Sequence, residues 1–352
     1  MEVHQIIAAD PASLREQWHA LRGQNPNIRI RNAAEQLGVS EMTLLLTEPV
    51  SRVQRLDPNF AELYQNISLL GTVMTLARND EVVHETTGSM GKFSVTGNGA
   101  MGLCLGEIDL RVFFSHWKHG YAVTEVGAKG ERHSLQFFDA GGGALHKIYA
   151  VQKTDMSAWS ALVEKYTASE QRPVIDLQAL PVIERYKGRV DSAALREDWE
   201  AITDVHEFHS MLQKHKLDRL TALENIGSDW AFQIADDSLE KVLESASAAA
   251  VPVMVFVGNR GIVQIFTGQV SKLVNIPGWF NVLDPDFNLH VLNAGVKSVW
   301  VVKRPSEDGV ISSVDGFNAR GELVFSVFGE RKPGKPELPG WRALVEKREP
   351  AS

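Results

Sequence analysis

Two hydrophobic patterns alternate along this chain, and they do so twice in the same order. From Pro11 to about Leu70 the apolar spacing is largely helical. In SLREQWHALRG, Leu14, Trp18 and Leu21 fall three and four residues apart and the run stops at Gly23, which predicts an amphipathic helix with a breaker behind it. RNAAEQLG and SEMTLLL predict two shorter helices around a Gly-Val turn. From about Leu69 the chain changes to short segments rich in β-branched and aromatic residues: VMTLAR, EVVHETTG, KFSVTGNG, DLRVFFSHW, YAVTEVG, HSLQFFD and LHKIYAVQK. Asn-Asp, Gly-Asn-Gly and Ala-Gly-Gly-Gly separate them, as expected of consecutive hairpins. MSAWSALVEKY then predicts a closing helix. In the second half DSAALREDWEAIT, DVHEFHSMLQKHKL and SLEKVLESASAA are helical, strands run from Val251 to Gly329, and a last helix starts at Trp341.

The repetition extends to the residues themselves. VMTLARNDEVVHETTG at Val73 returns as VMVFVGNRGIVQIFTG at Val253, about 180 residues later. The same offset carries IDLRVFFSHWKHGYAV onto FNLHVLNAGVKSVWVV, LREQW at Leu14 onto LREDW at Leu195, and WSALVEKY at Trp159 onto WRALVEKR at Trp341. This predicts a tandem duplication: residues 1–170, a Pro-bearing linker at 171–188 (RPVIDLQALPVIERYKG), and residues 189–352. Helices grouped ahead of hairpins, rather than alternating with strands, predict an α+β class. Each repeat should be a large antiparallel sheet flanked by helices, with a ligand cleft between the repeats.

Composition narrows the function classes. A chain that is 44% hydrophobic and 23% charged is an ordinary globular protein, long enough for two cores. No run of about 18 apolar residues predicts a membrane span. The start, MEVHQIIAADPASLREQW, lacks the basic and apolar regions of a signal peptide. The single cysteine, Cys104, excludes an internal disulfide framework and suits a reducing compartment, so a cytoplasmic location is expected. In AMGLCLGEI it reads as a small buried hydrophobe. A formal net charge of −8 argues against binding nucleic acid through bulk electrostatics.

One segment still has the spacing of a helix-turn-helix, residues 31–46, beginning Arg31-Asn-Ala-Ala-Glu-Gln-Leu-Gly-Val-Ser-Glu-Met-Thr. SEMTLLL would be its recognition helix, with Ser40, Glu41 and Thr43 exposed and no Arg or Lys to meet phosphate or guanine. A helical hairpin packed on its own sheet explains the pattern better, and DNA binding is kept as a third alternative.

The chemistry that is not duplicated is a histidine pair, His206 and His209, in TDVHEFH. Asp204 is a suitable helix N-cap, and Glu207 three residues on can answer it in a capping-box arrangement. His206 then lies in the first turn, where the helix dipole disfavours the imidazolium and keeps a neutral ring available as a ligand. His209 follows one turn later on nearly the same face. By itself the pair does not distinguish a ligand from two surface histidines. A zinc site would need three or four convergent ligands, and neither a Cys pair nor another compact His/Asp cluster is near. A porphyrin iron needs only an axial imidazole, apolar walls and cations for two propionates. Candidate cations are Lys214, Lys216, Arg219, Lys303, Arg304, Arg331 and Lys332, a set that discriminates little.

Taken together, LREDWEAITDVHEF, DLRVFFSHWKHG, WVVKRPSEDG and VFGERKPG resemble the bacterial cytoplasmic haem-trafficking proteins, the HemS-like or hemin-degrading-factor family, over nearly the whole chain. The resemblance implies haem b as transported ligand or substrate, lying between the repeats, with His206 as axial ligand and His209 as an alternative ligand. It implies Arg111, in DLR, on the opposite face of the haem, where a guanidinium that does not deprotonate could hold water on the iron or polarise oxygen. Arg219 matches a basic position one helix length beyond the histidine, and Arg331, in FGERK, a propionate-binding arginine. Two departures stand out: the order Lys303-Arg304-Pro305 puts Arg304 where the family has lysine, and Phe325 replaces a tyrosine. The implied function is accepting imported haem and delivering it to a haem oxygenase, with an inner-membrane haem transporter as a further partner. The alternative is a haem oxygenase-like enzyme that opens the porphyrin itself, with Arg111 catalytic.

Overall fold

The computed structural model describes residues 11–127, 130–172, 176–182, 184–204, 207–235, 238–332 and 334–351. In chain order the first half carries α1 (Pro11–Gln24), α2 (Ile30–Gln36), α3 (Glu41–Leu45), β1 (Val53–Arg55), α4 (Phe60–Asn66), β2 (Gly71–Arg78), β3 (Val82–Ser89), β4 (Phe93–Thr96), β5 (Met101–Cys104), β6 (Asp109–Phe113), β7 (His119–Gly127), β8 (Gly130–Phe138), β9 (Ala144–Thr154) and α5 (Met156–Tyr166). The second carries α6 (Ser192–Glu200), α7 (Glu207–His215), α8 (Arg219–Asn225), β10 (Ala231–Ile234), α9 (Ser238–Ala248), β11 (Val253–Asn259), β12 (Ile262–Gly268), β13 (Leu273–Ile276), β14 (Trp279–Leu283), β15 (Phe287–Leu292), β16 (Ser298–Arg304), β17 (Ile311–Phe317), β18 (Leu323–Gly329) and α10 (Pro339–Glu346). The class is α+β with large antiparallel sheets, as the spacing predicts. Of two short strands, β1 falls inside a stretch read as helical and β10 in an unassigned gap between two segments read as helices. Each is only three or four residues long and pairs at the end of its sheet, too brief to show an alternating pattern.

The chain forms two compact units whose boundaries differ from contiguous halves. Unit 1 is Met1–Ala77, Thr87–Pro181 and Asn259–Val263; unit 2 is Arg78–Thr86, Val182–Gly258 and Gln264–Ser352. The hairpin turns exchanged by the duplication carry equivalent asparagines. Asn79 accepts from the backbone N–H of Glu81 and Val82 and donates to Gly258 and Val324 carbonyls in unit 2. Asn259 accepts from Gly261 N and donates to Leu145 O in unit 1. The Asn side chain closes the turn and anchors it to neighbouring backbone at the same time.

In unit 1 the order β1-β7-β8-β9-β2 forms one antiparallel sheet. One face carries α4 and α5 through Tyr64, Trp159 and Leu162, and β7 and β8 also meet α3 through Tyr121, Phe138 and Met42. Cys104 is buried, as predicted. In unit 2 the order β10-β16-β17-β18-β11 is antiparallel in the same way. Period-two alternation sorts its side chains. Val299, Val301, Val314, Phe325 and Val327 join α9 and α10, while Trp300, Val302 and Phe317 join α6, α7 and α8. The indoles that fill the two sides are satisfied: Trp341 donates to Ser312 O at 3.0 Å and Trp199 to Lys303 O at 3.1 Å.

The helix-turn-helix alternative is corrected by α3. Glu41, expected at the surface, is 7% exposed and is paired with the buried Lys147 of β9, while Met42, Leu44 and Leu45 are buried beside it. The helix that would have entered a groove is packed into its own unit. Among the described residues no helix is long and apolar enough to cross a membrane.

Candidate functional site

The polar chemistry of unit 2 gathers on the α6–α8 side of its sheet. Asp218 caps α8, accepting from Thr221 N at 2.9 Å and Thr221 Oγ1 at 2.6 Å, and it also takes Tyr186 N at 2.7 Å. Burial pushes Asp218 up, but these bonds and Arg185 hold it below the usual carboxylate range. The cap fixes the first helical residue, Arg219, over the sheet.

There Arg219 meets Arg304 and Asp315. Asp315 is fully buried on β17, facing the same side as Ser313 and Phe317. Arg304 Nη2 donates to its Oδ2 at 2.9 Å and Arg304 Nη1 to Ser313 Oγ at 3.1 Å, while Arg219 Nη1 reaches the same Oδ2 at 3.4 Å. Burial pushes Asp315 up, yet the two guanidiniums hold it below the ordinary range. Burial and the neighbouring Arg304 cation lower Arg219 to about 10, so it stays charged at neutral pH. The cluster therefore holds one positive charge in surplus.

Phe208, 3% exposed on α7, ties this cluster to the helices. The Arg304 and Arg219 guanidiniums lie 4.6 and 4.9 Å from its ring centre, and Trp199 of α6 meets it edge-on at 5.1 Å. The start of α7 is fixed separately. Glu207 Oε2 accepts from Thr203 N at 2.9 Å and Asp204 N at 3.1 Å, the reciprocal half of the expected capping box. At its other end Asp198 of α6 takes Lys214 Nζ and His215 Nε2.

Beside the cations lies an apolar surface on the same side of the sheet. Met254 pairs with Phe328 and Phe256 with Ser326; the two phenyl rings are 5.2 Å apart, and all three apolar side chains are half-buried. Arg304 stands 5.9 Å from the Phe328 ring centre. Unpaired positive charge bordering partly uncovered aromatic surface suits a flat apolar ligand with a carboxylate at its edge.

The residues singled out in the sequence are placed as follows. Arg219 and Arg304 come together. Lys303, adjacent in the strand, alternates to the other side. Phe325 pairs with Gly316 on the α9–α10 side, packed in the core rather than beside the arginines. Arg331 faces Asp308 at 3.9 Å. His209 is exposed and accepts from Gln213 Nε2 at 3.0 Å. Arg111, in unit 1, is paired with Asp109, whose carboxyl burial pushes up against that cation. His206 lies outside the described residues. Sequence reasoning missed Phe208, although it stands inside the DVHEF motif, and Asp315, a lone acid within the apolar strand ISSVDGF.

Known proteins share this organisation. The haemin-degrading HemS/ChuX domain model matches residues 38–166 and again 216–348. The chain is 34% identical over 334 residues to the hemin transport protein HmuS of Yersinia pestis, covering 95% of this chain and 96% of that one. Holo-PhuS, a heme-binding protein from Pseudomonas aeruginosa, superposes with a TM-score of 0.94 at 40% identity, covering 97% of this chain and all (100%) of that one. The heme-degrading enzyme ChuS of Escherichia coli O157:H7 does so with a TM-score of 0.91 at 34% identity, with coverage of 97% and 100%. With both copies of the domain and nearly all of the chain matched, this chain belongs to the HemS family of haemin-degrading HemS/ChuX domain proteins.

Proposed function

We propose that this protein binds haem b in the cytoplasm, accepts it after import across the inner membrane, and delivers it to a haem-degrading enzyme. The observation that carries the proposal is the Arg219–Asp315–Arg304 cluster, whose surplus positive charge borders Met254, Phe256 and Phe328. A propionate answers the charge and a porphyrin face answers the apolar surface. His206 is the proposed axial ligand, His209 the alternative one, and Arg111 a second haem-contacting residue; these roles come from the family resemblance. Haem itself supplies the iron and the redox chemistry. The chain's part is to hold the propionates and to offer the His206 imidazole, next in sequence to the first residue of α7.

Titration of the purified protein with hemin tests this. Wild type should develop a saturable Soret band at one haem per chain. His206→Ala with His209→Ala should shift the band and weaken binding by at least tenfold; unchanged spectra and affinity would reject the ligand assignment. The heme-degrading relative supports a second reading, oxidative opening of the porphyrin. Loaded protein given an electron donor, oxygen and catalase should then release iron and a defined tetrapyrrole, whereas bleaching that catalase abolishes leaves a carrier.

A further inference from the structure

The closing helix of each repeat lies on its own sheet, and what fills the space beside it differs. From β18 to α10 the connection takes residues 330–338, whereas Asp155 alone separates β9 from α5. The longer connection brings Glu337 back onto the sheet, where its side chain is 1% exposed. Glu337 Oε1 accepts from Ser312 N, and Oε2 accepts from Ser312 Oγ at 3.2 Å and Arg342 Nε at 3.3 Å. Trp341, next to Arg342 on α10, donates to Ser312 O. A buried carboxylate from a loop thus joins strand to helix in unit 2.

Register identifies the same place in unit 1. Thr124 pairs with His133 there as Lys303 pairs with Ser312, and WSALVEKY over WRALVEKR puts Trp159 and Ser160 at Trp341 and Arg342. With a one-residue connection, unit 1 has no loop to supply a counterpart of Glu337. His133, Trp159 and Ser160 instead line an open groove of about 630 Å³ that reaches past Thr124 and Val163 to Arg52. Ligand sites usually measure about 300–1,000 Å³.

The polar groups of this groove are weakly answered. Trp159 is 4% exposed, yet among the described residues its indole N–H has no acceptor, where that of Trp341 has one. A buried indole N–H is ordinarily bonded. The Arg52 side chain is 46% exposed and stands 3.9 Å from Glu48, too far for a hydrogen bond. Thr124 Oγ1 lies 3.1 Å from His133 Nδ1 and orients the ring, whose Nε2 is 3.6 Å from the exposed Glu131. Glu164, the one acid in the lining, is exposed on α5.

We propose that the unit 1 groove binds an extended segment of a partner protein through a glutamate or aspartate, as unit 2 binds its own Glu337. The Trp159 indole N–H and the His133 ring are the donors for that carboxylate, and Arg52 supplies the charge that favours it. The groove lies on the α5 side of β7 and β8, and the haem-binding reading makes no use of it.

The test uses the full chain and a labelled synthetic peptide copying residues 334–340, GKPELPG, with fluorescence anisotropy for affinity. The eight tryptophan indole resonances report the place, that of Trp159 being the one lost in Trp159→Phe. The peptide should bind saturably with Kd below about 1 mM and shift the Trp159 resonance. The same peptide with glutamine for glutamate should bind about tenfold more weakly, the scale of one charge-assisted hydrogen bond. Arg52→Gln and Trp159→Phe should each weaken the acidic peptide several-fold, Arg52→Lys should retain it, and hemin affinity should stay unchanged throughout. Equal binding of the glutamine peptide, no shift at Trp159, or a parallel loss of hemin in these variants would overturn the proposal. N-acetylglutamate amide binding as tightly as the peptide would overturn it too, by making the groove a site for small carboxylates.

Discussion

Units 1 and 2 have the same five-strand register and fill it with opposite chemistry. Ser134 pairs with Tyr149 and Tyr149 with Met74 in unit 1, where Ser313, Phe328 and Met254 stand in unit 2. Gln136 opposite Lys147 takes the place of Asp315 opposite Ser326, and Glu125 opposite Arg132 that of Arg304 opposite Ile311. Unit 1 answers its buried cation from within, as Glu41 of α3 neutralises Lys147. Unit 2 gathers two guanidiniums on one carboxylate and leaves a charge over. After duplication the backbone pattern was kept, and the balance of buried charge separates a closed face from one suited to an anion.

The largest expected effect comes from breaking the closed face. Lys147→Ala strands the buried Glu41, which should cost about 3–5 kcal/mol in urea unfolding. Lys147→Met together with Glu41→Leu should recover most of it, because an apolar pair of similar volume avoids desolvating either charge. If Lys147→Ala costs under about 1 kcal/mol, as for a surface pair, unit 1 is not internally balanced in the way described.

Acid should separate the units next. Asp315 has a depressed pKa in the folded state, so its contribution is fully present above the unfolded carboxylate value of about 4 and is lost as pH falls through the folded value. Gln136 at the matching position of unit 1 has no proton to gain. Amide exchange measured from pH 5 down to 2 should show β16–β18 losing protection with a step that Asp315→Asn removes, while that substitution leaves the profile of β7–β9, whose buried carboxylate is Glu41, unchanged. A smaller effect tests the support of Arg219: Asp218→Ala should cost about 1 kcal/mol, the usual value of an N-cap, with fraying confined to α8.

How much of this was legible follows from the range of the signals. The duplication, the α+β class and most helices were readable because local periodicity and turn residues encode them; Ser40, read only as an exposed position, caps α3, accepting from Thr43 N. β1 and β10 were hidden because a strand of three or four residues has no period. The Arg219–Asp315 contact joins residues 96 apart in sequence, and only the fold brings them together. Lys303 and Arg304 both entered as candidate cations, with Arg304 at the family's lysine position. Strand alternation places one among the arginine cluster and the other on the opposite side, and that alternation was present in VWVVKRP all along.

The smallest effect asks whether unit 1 keeps a remnant of the anion-facing chemistry. Arg132 lies 3.9 Å over the ring of Tyr149, the residue in register with Phe328, and is exposed. A cation stacked on an aromatic ring at an open site contributes about 0.5–1 kcal/mol. Arg132→Ala should therefore lower stability by about that amount and leave hemin affinity unchanged, since Glu41 already answers the buried lysine beneath. A loss of hemin affinity in Arg132→Ala that Arg132→Lys restores would mean that unit 1 also binds through charge. The contrast between a neutralised face and an anion-facing one would then have to be drawn within each unit rather than between them.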